Sequence, residues 1–318
     1  MKGIKFAGIL LCLVYVNVNF ASVTESKKYK TENVIVIVMD GPRYTETWGD
    51  STHKHIPHMA NDMAMYGVIY TGFRNNGPTY TCAGHTGLTT GIYQRIDNGG
   101  REYPKNPSMF QYWLKATGKR RKAAYVISSK DKLAILTNCK NRKWKDQYRP
   151  YSNCGENGLQ SGYRTDLTTY ENSIEILKKD KPNLLLINFK EPDTWGHAGN
   201  WERFLLGIEK TDEYIYKIFQ FIQSNEQYKN KTTIFVTNDH GRHLDGRKDG
   251  FVSHGDRCEG CRKLNMFAYG PDFKSNVITN VTREIIDVPV TIGELMGFKI
   301  RKSKGQIMTE LFKDCYQF

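Results

Sequence analysis

The chain has 318 residues, of which 39% are hydrophobic and 25% charged, and its formal net charge is +13. This composition excludes a disordered tail, and the length is sufficient for one large domain with an ordinary core. Lysine and arginine are spread along the chain and form no block, so we expect a solvated surface and no specific nucleic-acid binding. A basic field that attracts small phosphorylated molecules is the second interpretation of the charge.

The first 22 residues, MKGIKFAGILLCLVYVNVNFAS, combine two lysines, an apolar run and small residues at the end. This pattern is typical of a secretory signal peptide. A retained membrane anchor is the alternative, but the run is short for a span and no stop-transfer pattern follows. We therefore predict a signal peptide at 1–22, a single domain at 23–318 without a transmembrane span, and a secreted or periplasmic location.

Six of the seven cysteines follow residue 22. In an exported protein an even number favours disulfides, and the most economical pairs are Cys139 with Cys154 and Cys258 with Cys261. A zinc knuckle at Cys258-x-x-Cys261 is the alternative. It is less favoured because no second cysteine or histidine pair follows at the spacing of a zinc finger.

Three short apolar runs predict buried strands: VIVIVM at 34–39, NLLLINF at 183–189 and TTIFVT at 232–237. The segments 165–180 and 201–222 have helical periodicity instead. Strands that are apolar on both faces and separated by helices are typical of an α/β fold with a largely parallel central sheet and helices on both faces. The predicted apolar helix faces contain Leu167, Tyr170, Ile174 and Leu177, and then Trp201, Phe204, Leu205, Ile208, Ile215 and Ile222.

Polar residues follow the end of each predicted strand, where the carboxyl edge of a parallel sheet binds ligands. Asp and neutral His supply oxygen and nitrogen ligands, a set that suits zinc and is acceptable to manganese or iron. Each residue taken alone is better explained by a turn or a satisfied histidine. Taken as a set they predict a metal site, formed by Asp40, Asp193, His197, Asp239, His240 and His254.

The motifs occur in an order that resembles a known family. Asp40-Gly41 after a strand, then TTGIY, DTWGH, NDHG and SHGD, is similar to the alkaline phosphatase superfamily, and most similar to its nucleotide pyrophosphatase/phosphodiesterase branch. The resemblance spans roughly residues 33–297, including YGPDFK and IIDVPVTIGELMG. It implies two divalent metal ions, most simply zinc, that clamp a phosphoryl group in an in-line displacement.

The resemblance also implies how the ligands divide. One metal would be held by Asp40, Asp239 and His240 together with the nucleophile. The other would be held by Asp193, His197 and His254.

In the phosphodiesterase branch the nucleophilic threonine stands four residues before a histidine, so the resemblance implies Thr81 as the nucleophile within TCAGH. Thr79 is the alternative. A dication would activate the weakly nucleophilic hydroxyl. Asn98 in GIYQRIDNGG corresponds to the asparagine that binds a phosphoryl oxygen in the phosphodiesterase branch, if a gap is allowed. CAGHT lacks the Cys-x-Pro-x-Arg segment of sulfatases, so sulfate ester hydrolysis is at most a side activity.

Other residues of this loop have simpler interpretations. Cys82 is predicted to be a small buried hydrophobic residue, and Thr89 and Thr90 to pack or cap. The segment 138–164 has no regular periodicity and mixes Lys, Arg, Trp and Tyr. It is interpreted either as a solvated insertion or as a substrate lid that stacks a base.

The sequence therefore predicts an exported two-metal hydrolase of a small phosphorylated substrate, with a phosphodiester or nucleotide pyrophosphate bond as the target. Two alternatives are a phosphomonoesterase or phosphoryl transferase on the same fold, and a catalytically silent binding protein.

Overall fold

The structure is a computed structural model that describes Gly3 and residues 29–316. The predicted signal peptide, with Cys12, lies outside the described residues apart from Gly3. Among the helices of the described part, none has the length and apolar character needed to cross a membrane.

The strands of residues 29–316 form one large sheet and one small one. In chain order they are β1 (Asn33–Met39), β2 (Val68–Tyr70), β3 (Phe73–Arg74), β4 (Ala124–Ser128), β5 (Tyr151–Cys154), β6 (Leu184–Phe189), β7 (Thr232–Thr237), β8 (Met266–Tyr269), β9 (Val277–Thr279) and β10 (Arg283–Glu284). The large sheet has the order β5-β4-β6-β1-β7-β8-β2-β9, and β10 pairs with β3. Only β8 runs antiparallel to its neighbours in the large sheet. The predicted strands and the largely parallel sheet are confirmed.

The α-helices of the same residues lie on both faces of the sheet. They are α1 (Thr81–Thr90), α2 (Met109–Thr117), α3 (Asp166–Lys179), α4 (Glu191–His197), α5 (Trp201–Ser224), α6 (Glu259–Arg262) and α7 (Asp287–Leu295). Short 3₁₀ or π segments lie at Tyr44–Glu46, His58–Met63, Ala64–Tyr66, Arg121–Ala123, Asp131–Thr137, Gly250–Val252 and Thr309–Leu311.

Two cores enclose β1, whose residues alternate between them as the pleat requires. Val34, Val36 and Val38 face the core shared with α2 and α7. Ile35 and Ile37 face the core shared with α5. All seven residues of β1 are buried, which explains its continuous apolar run.

The apolar face predicted for 201–222 is confirmed in α5, where Phe204, Ile208, Ile215 and Ile222 are buried. In α3 the prediction was wrong for Leu167, which is 50% exposed. The first turn of α3 lines a surface cavity of about 350 Å³ beside Trp195, so Leu167 lies outside the core.

Helix α1 is fully buried although it is rich in threonine. Its hydroxyls are satisfied inside the helix, because Thr86, Thr89 and Thr90 donate to carbonyls four residues earlier at 2.6, 2.8 and 2.7 Å. The packing role predicted for Thr89 and Thr90 is confirmed. Cys82 is completely buried, also as predicted.

In the structure the six cysteines of the described residues are free thiols, and neither of the two expected disulfides is shown. Cys154 lies in β5, next to β4, where its Sγ donates to the carbonyl of Val126 at 3.4 Å. The segment 138–164 also has more regular structure than predicted. Its residues 151–154 form β5, the outer strand of the sheet.

Gly84 determines how closely α1 approaches the end of β7. A Cβ atom at Gly84 would lie 2.5 Å from the carbonyl oxygen of Asp239, a backbone atom that cannot move aside. We expect Gly84→Ala to lower the free energy of unfolding by about 1–3 kcal/mol through overpacking. The control is Gly87→Ala in the same helix, where the nearest atom is 3.4 Å away and alanine is the better helix former. Equal denaturation midpoints for the two variants would contradict this explanation.

Candidate metal centre

The three central strands of the sheet deliver the predicted ligands to one edge. Strands β6, β1 and β7 are neighbours, with β1 in the middle. Asp40 follows β1 directly and Asp239 follows β7 after one residue, while α4 begins two residues after β6 and carries Asp193 in its first turn. The carboxyl ends of parallel strands lie at the same edge, which brings these carboxylates together.

The first cluster consists of Asp40, Asp239 and His240, all fully buried, with ligand atoms within 4.8 Å of one another. His240 Nε2 lies 3.6 Å from Asp40 Oδ1 and 3.5 Å from Asp239 Oδ2. His240 Nδ1 lies 3.0 Å from the Gly241 carbonyl, which can only accept, so Nδ1 carries the proton and Nε2 offers its lone pair.

Several atoms of this cluster are buried without a hydrogen-bond partner. They are both carboxylate oxygens of Asp239 and Nε2 of His240. Buried polar atoms are normally satisfied, so this set requires a cation or another donor. The donors and their protonation therefore fit a divalent metal ion.

The second cluster consists of Asp193, His197 and His254. Asp193 Oδ1 lies 3.3 Å from His197 Nε2 and 3.4 Å from His254 Nε2. His254 Nδ1 donates to the Thr79 carbonyl at 2.8 Å, and its Nε2 lies 3.0 Å from His197 Nε2, so these two nitrogens and Asp193 Oδ1 are close enough to bind one ion. The rings of His240 and His254 stack with centroids 3.7 Å apart, so the two clusters adjoin.

Lys130 joins the two clusters. Its buried ammonium lies 2.8 Å from Asp40 and 2.6 Å from Asp193, and it donates to Thr81 Oγ1 at 3.2 Å. Burial alone would lower the pKa of Lys130, but the carboxylates of Asp193 and Asp40 outweigh burial and raise it. Lys130 was not among the predicted site residues. The one feature of the sequence that could have indicated its role is its position two residues after β4, at the same edge of the sheet.

The two candidate nucleophiles have different surroundings. Thr81 begins α1, is 1% exposed, and touches the ammonium that joins the clusters. Thr79 Oγ1 donates to the Asp256 carbonyl at 2.6 Å, so its hydroxyl is engaged in a loop contact. His85 lies in the next turn of α1, where Nδ1 is 2.9 Å from the Thr81 carbonyl and 3.2 Å from Asp239 Oδ2.

Asn98 lies outside α1 and contacts the first turn of that helix. Its Oδ1 accepts the N–H of Cys82 at 3.0 Å, one residue after Thr81. The amide oxygen is thereby occupied, and the NH₂ group remains a donor for a bound ligand. Lys132 Nζ lies 3.5 Å from the same oxygen, and its pKa is lowered by burial first and by the charge of Lys130 second.

Two further residues that sequence reasoning missed hold the second cluster in place. Asp166 accepts the backbone N–H groups of Lys190 and Glu191, both at 2.9 Å, and so caps the start of α4. The fully buried Arg242 donates to Asp193 Oδ1 at 2.5 Å. Both residues stand in polar stretches of the sequence that also suit a solvated loop.

A cavity of about 450 Å³ lies beside the centre and is lined by Tyr80, Tyr93, Arg95 and Arg257 among others. From the segment 138–164, Tyr163 is the residue that senses the centre. Burial raises the pKa of its phenol to about 12, the charge of Lys130 opposes the rise, and the carboxylate of Asp40 adds to it. Trp144 of the same segment packs against Tyr112 instead.

Comparison with known proteins agrees with this geometry. The family model "Metalloenzyme superfamily" matches residues 32–300. A 2,3-bisphosphoglycerate-independent phosphoglycerate mutase of Clostridium perfringens (strain SM101 / Type A) is 32% identical over 81 residues, 24% of this chain and 15% of the mutase. Ectonucleotide pyrophosphatase/phosphodiesterase family member 3 of Mus musculus is 25% identical over 232 residues, 65% of this chain and 24% of that protein. The chain therefore spans less than a quarter of the length of either relative.

Solved structures share the fold. The phosphonate monoester hydrolase SpPMH from Silicibacter pomeroyi aligns with a TM-score of 0.63 at 12% identity, over 90% of this chain and 78% of that one. Murine ectonucleotide pyrophosphatase/phosphodiesterase 5 aligns with a TM-score of 0.63 at 15% identity, over 88% of this chain and 100% of that one. The chain belongs to the Metalloenzyme superfamily, a family that implies divalent metal ions, and it has the alkaline phosphatase-like fold.

Proposed function

We propose that the protein is an exported two-metal hydrolase of phosphate esters that acts on phosphodiester or nucleotide pyrophosphate bonds through Thr81. One observation carries the proposal. The Lys130 ammonium contacts Asp40 of the first cluster, Asp193 of the second and the Thr81 hydroxyl at once, so this hydroxyl lies at the junction of two metal-ligand sets.

Under this proposal the two clusters hold one ion each, with zinc preferred by the mixed carboxylate and imidazole set and manganese or iron as alternatives. Bound ions would supply charge neutralisation for the phosphoryl oxygens and would favour loss of the Thr81 hydroxyl proton to solvent. Thr81 Oγ1 would then form a bond to phosphorus as the bond from phosphorus to the leaving ester oxygen breaks. The NH₂ group of Asn98 and the ammonium of Lys130 donate to the oxygens that gain charge.

The proposed substrate class is supported by the cavity of about 450 Å³, which is lined by Tyr80, the residue before Thr81, and by Gly255, the residue after His254. Arg95 and Arg257 give it positive charge, and Tyr80 and Tyr93 give it aromatic faces. This combination suits the second, organic half of a diester or a nucleotide. The similarity to an ectonucleotide pyrophosphatase/phosphodiesterase over 65% of the chain points the same way.

A phosphoryl transferase or phosphomonoesterase is the second candidate. It is favoured by the similarity to a phosphoglycerate mutase, which is 32% identical over 81 residues. A covalent intermediate on Thr81 serves either reaction: a diester would leave Thr81 joined to a phosphoryl group that keeps its second ester, a monoester would leave phosphothreonine, and water or a second hydroxyl can displace Thr81 from phosphorus in both cases.

The nucleophile can be tested with two threonine variants. Thr81→Ala should lower turnover by several orders of magnitude, because the group that attacks phosphorus is lost, while Asp40, Asp239 and His240 still supply three ligands to the first metal. Thr79→Ala is the control, since its hydroxyl bonds the Asp256 carbonyl. Steady-state rates and metal content are measured on the same samples. Near-normal turnover in Thr81→Ala with loss in Thr79→Ala would move the nucleophile two residues upstream.

The metals can be tested by removal and by ligand deletion. A chelator should abolish activity, and added zinc should restore it. Asp193→Ala should lose both activity and about one metal equivalent, because it removes the carboxylate of the second cluster. Leu167→Ala is the control, as this half-exposed residue lies outside both clusters. Full activity in a preparation shown by elemental analysis to be metal-free would refute the proposal.

The substrate class can be tested with matched chromogenic esters. We expect bis-nitrophenyl phosphate to have a higher kcat/KM than nitrophenyl phosphate, because the basic cavity can bind the second ester group. Arg95→Ala should reduce the diester rate more than the monoester rate. A strong preference for the monoester would select the second candidate and leave the metal assignment intact.

A further inference from the structure

We propose that His243, Asp256, Cys258 and Cys261 form a third metal site, a tetrahedral zinc site with a structural role, separate from the two clusters of the catalytic centre. Their ligand atoms all lie within 4.8 Å of one another. Zinc bond lengths of about 2.0–2.3 Å place tetrahedral ligand atoms about 3.3–3.8 Å apart, so a small inward shift completes the coordination.

His243 has a buried ring nitrogen that could bind a metal ion. It is 1% exposed, and its Nε2 is buried without a hydrogen-bond partner. Its Nδ1 lies 3.1 Å from a carboxylate oxygen of Asp249 and 3.3 Å from Ser253 Oγ, so a proton on Nδ1 has an acceptor and Nε2 can bind a metal ion. A histidine that donates its other N–H to a carboxylate is the usual arrangement around zinc.

The two cysteines have the geometry of a metal-binding turn. Both are free thiols, and Cys261 is fully buried. The Sγ of Cys258 accepts the backbone N–H of Cys261 at 3.4 Å. The two sulfur atoms therefore lie within reach of a single ion.

Asp256 supplies the fourth ligand. Its Oδ1 accepts the N–H of Cys258 at 2.8 Å, and its Oδ2 faces His243 Nε2 at 3.4 Å. The same Oδ2 pairs with Arg247 at 2.9 Å and Lys248 at 3.1 Å, both on exposed side chains. A zinc ion would replace these cations at Oδ2, and they would remain close enough to balance the excess charge of two thiolates and one carboxylate.

The position of this site suggests what it stabilises. Asp256 lies two residues after His254, a ligand of the second cluster, and its carbonyl accepts the Thr79 hydroxyl at 2.6 Å. The loop that contains His254 and Asp256 has no helix or strand between Val252 and Glu259. Zinc would therefore fix the loop that presents His254 and contacts the segment leading to Thr81.

Cobalt substitution separates this site from the catalytic centre, because it is the only one of the three clusters with sulfur ligands. Protein loaded with Co²⁺ should show a sulfur-to-cobalt charge-transfer band, and zinc-loaded wild type should contain three metal equivalents. Cys258→Ser and Cys261→Ser should each lose the band and one equivalent. Cys315→Ser, at an exposed thiol outside the cluster, and Asp193→Ala should both keep the band.

Two results would overturn the proposal. The first is a Cys258–Cys261 disulfide found by peptide mass analysis of the protein purified without reductant. The second is wild-type protein, with both thiols reduced, that binds two equivalents and gives no charge-transfer band. The wild-type spectrum requires no variant, so the test holds even if a cysteine variant does not fold. It also does not depend on the proposed phosphoesterase activity.

Discussion

The structure depends on a concentration of negative charge at one edge of the sheet. Asp40, Asp193 and Asp239 are buried within one small volume, and a buried carboxylate costs several kcal/mol unless it is paired. The pKa of Asp40 is raised to about 6, by burial first and by Asp239 second, although Lys130 opposes the rise. Lys130 and Arg242 are the cations among these groups, so three carboxylates face two positive charges. The one negative charge that remains would be offset by a bound divalent cation.

The metal ligands at this edge could be predicted because each stands close in sequence to the end of a predicted strand. Asp40 and Asp239 each follow an apolar run, and in a parallel sheet the ends of such runs meet. Lys130 and Arg242 carried no comparable signal, because SSKDK and HGRH are also patterns of solvated loops. Arg242 becomes a partner of Asp193, 49 residues away, only through the order of the strands. Contacts fixed by tertiary structure cannot be inferred from spacing alone.

The cysteines also show that spacing in the sequence does not determine which side chains meet in the fold. Spacing favoured a Cys258–Cys261 disulfide because no second ligand pair followed in the sequence. The fold supplies that pair from elsewhere, with His243 preceding the cysteines and Asp256 facing it across the turn. For Cys154 the fold works against the expected pair, since strand pairing directs its thiol to the Val126 carbonyl.

The segment that follows β7 links these observations. Residues 239–261 contribute Asp239, His240 and His254 to the catalytic clusters and the whole ligand set of the proposed zinc site, yet the only α-helix among them begins at Glu259. A loop of this length pays a large conformational entropy when it is ordered, and catalysis requires ligands held in fixed positions. Hydrogen bonds such as that from the Thr79 hydroxyl to the Asp256 carbonyl supply part of the ordering. A metal ion that binds only the folded loop would supply the rest, because its binding free energy adds directly to the stability of that conformation.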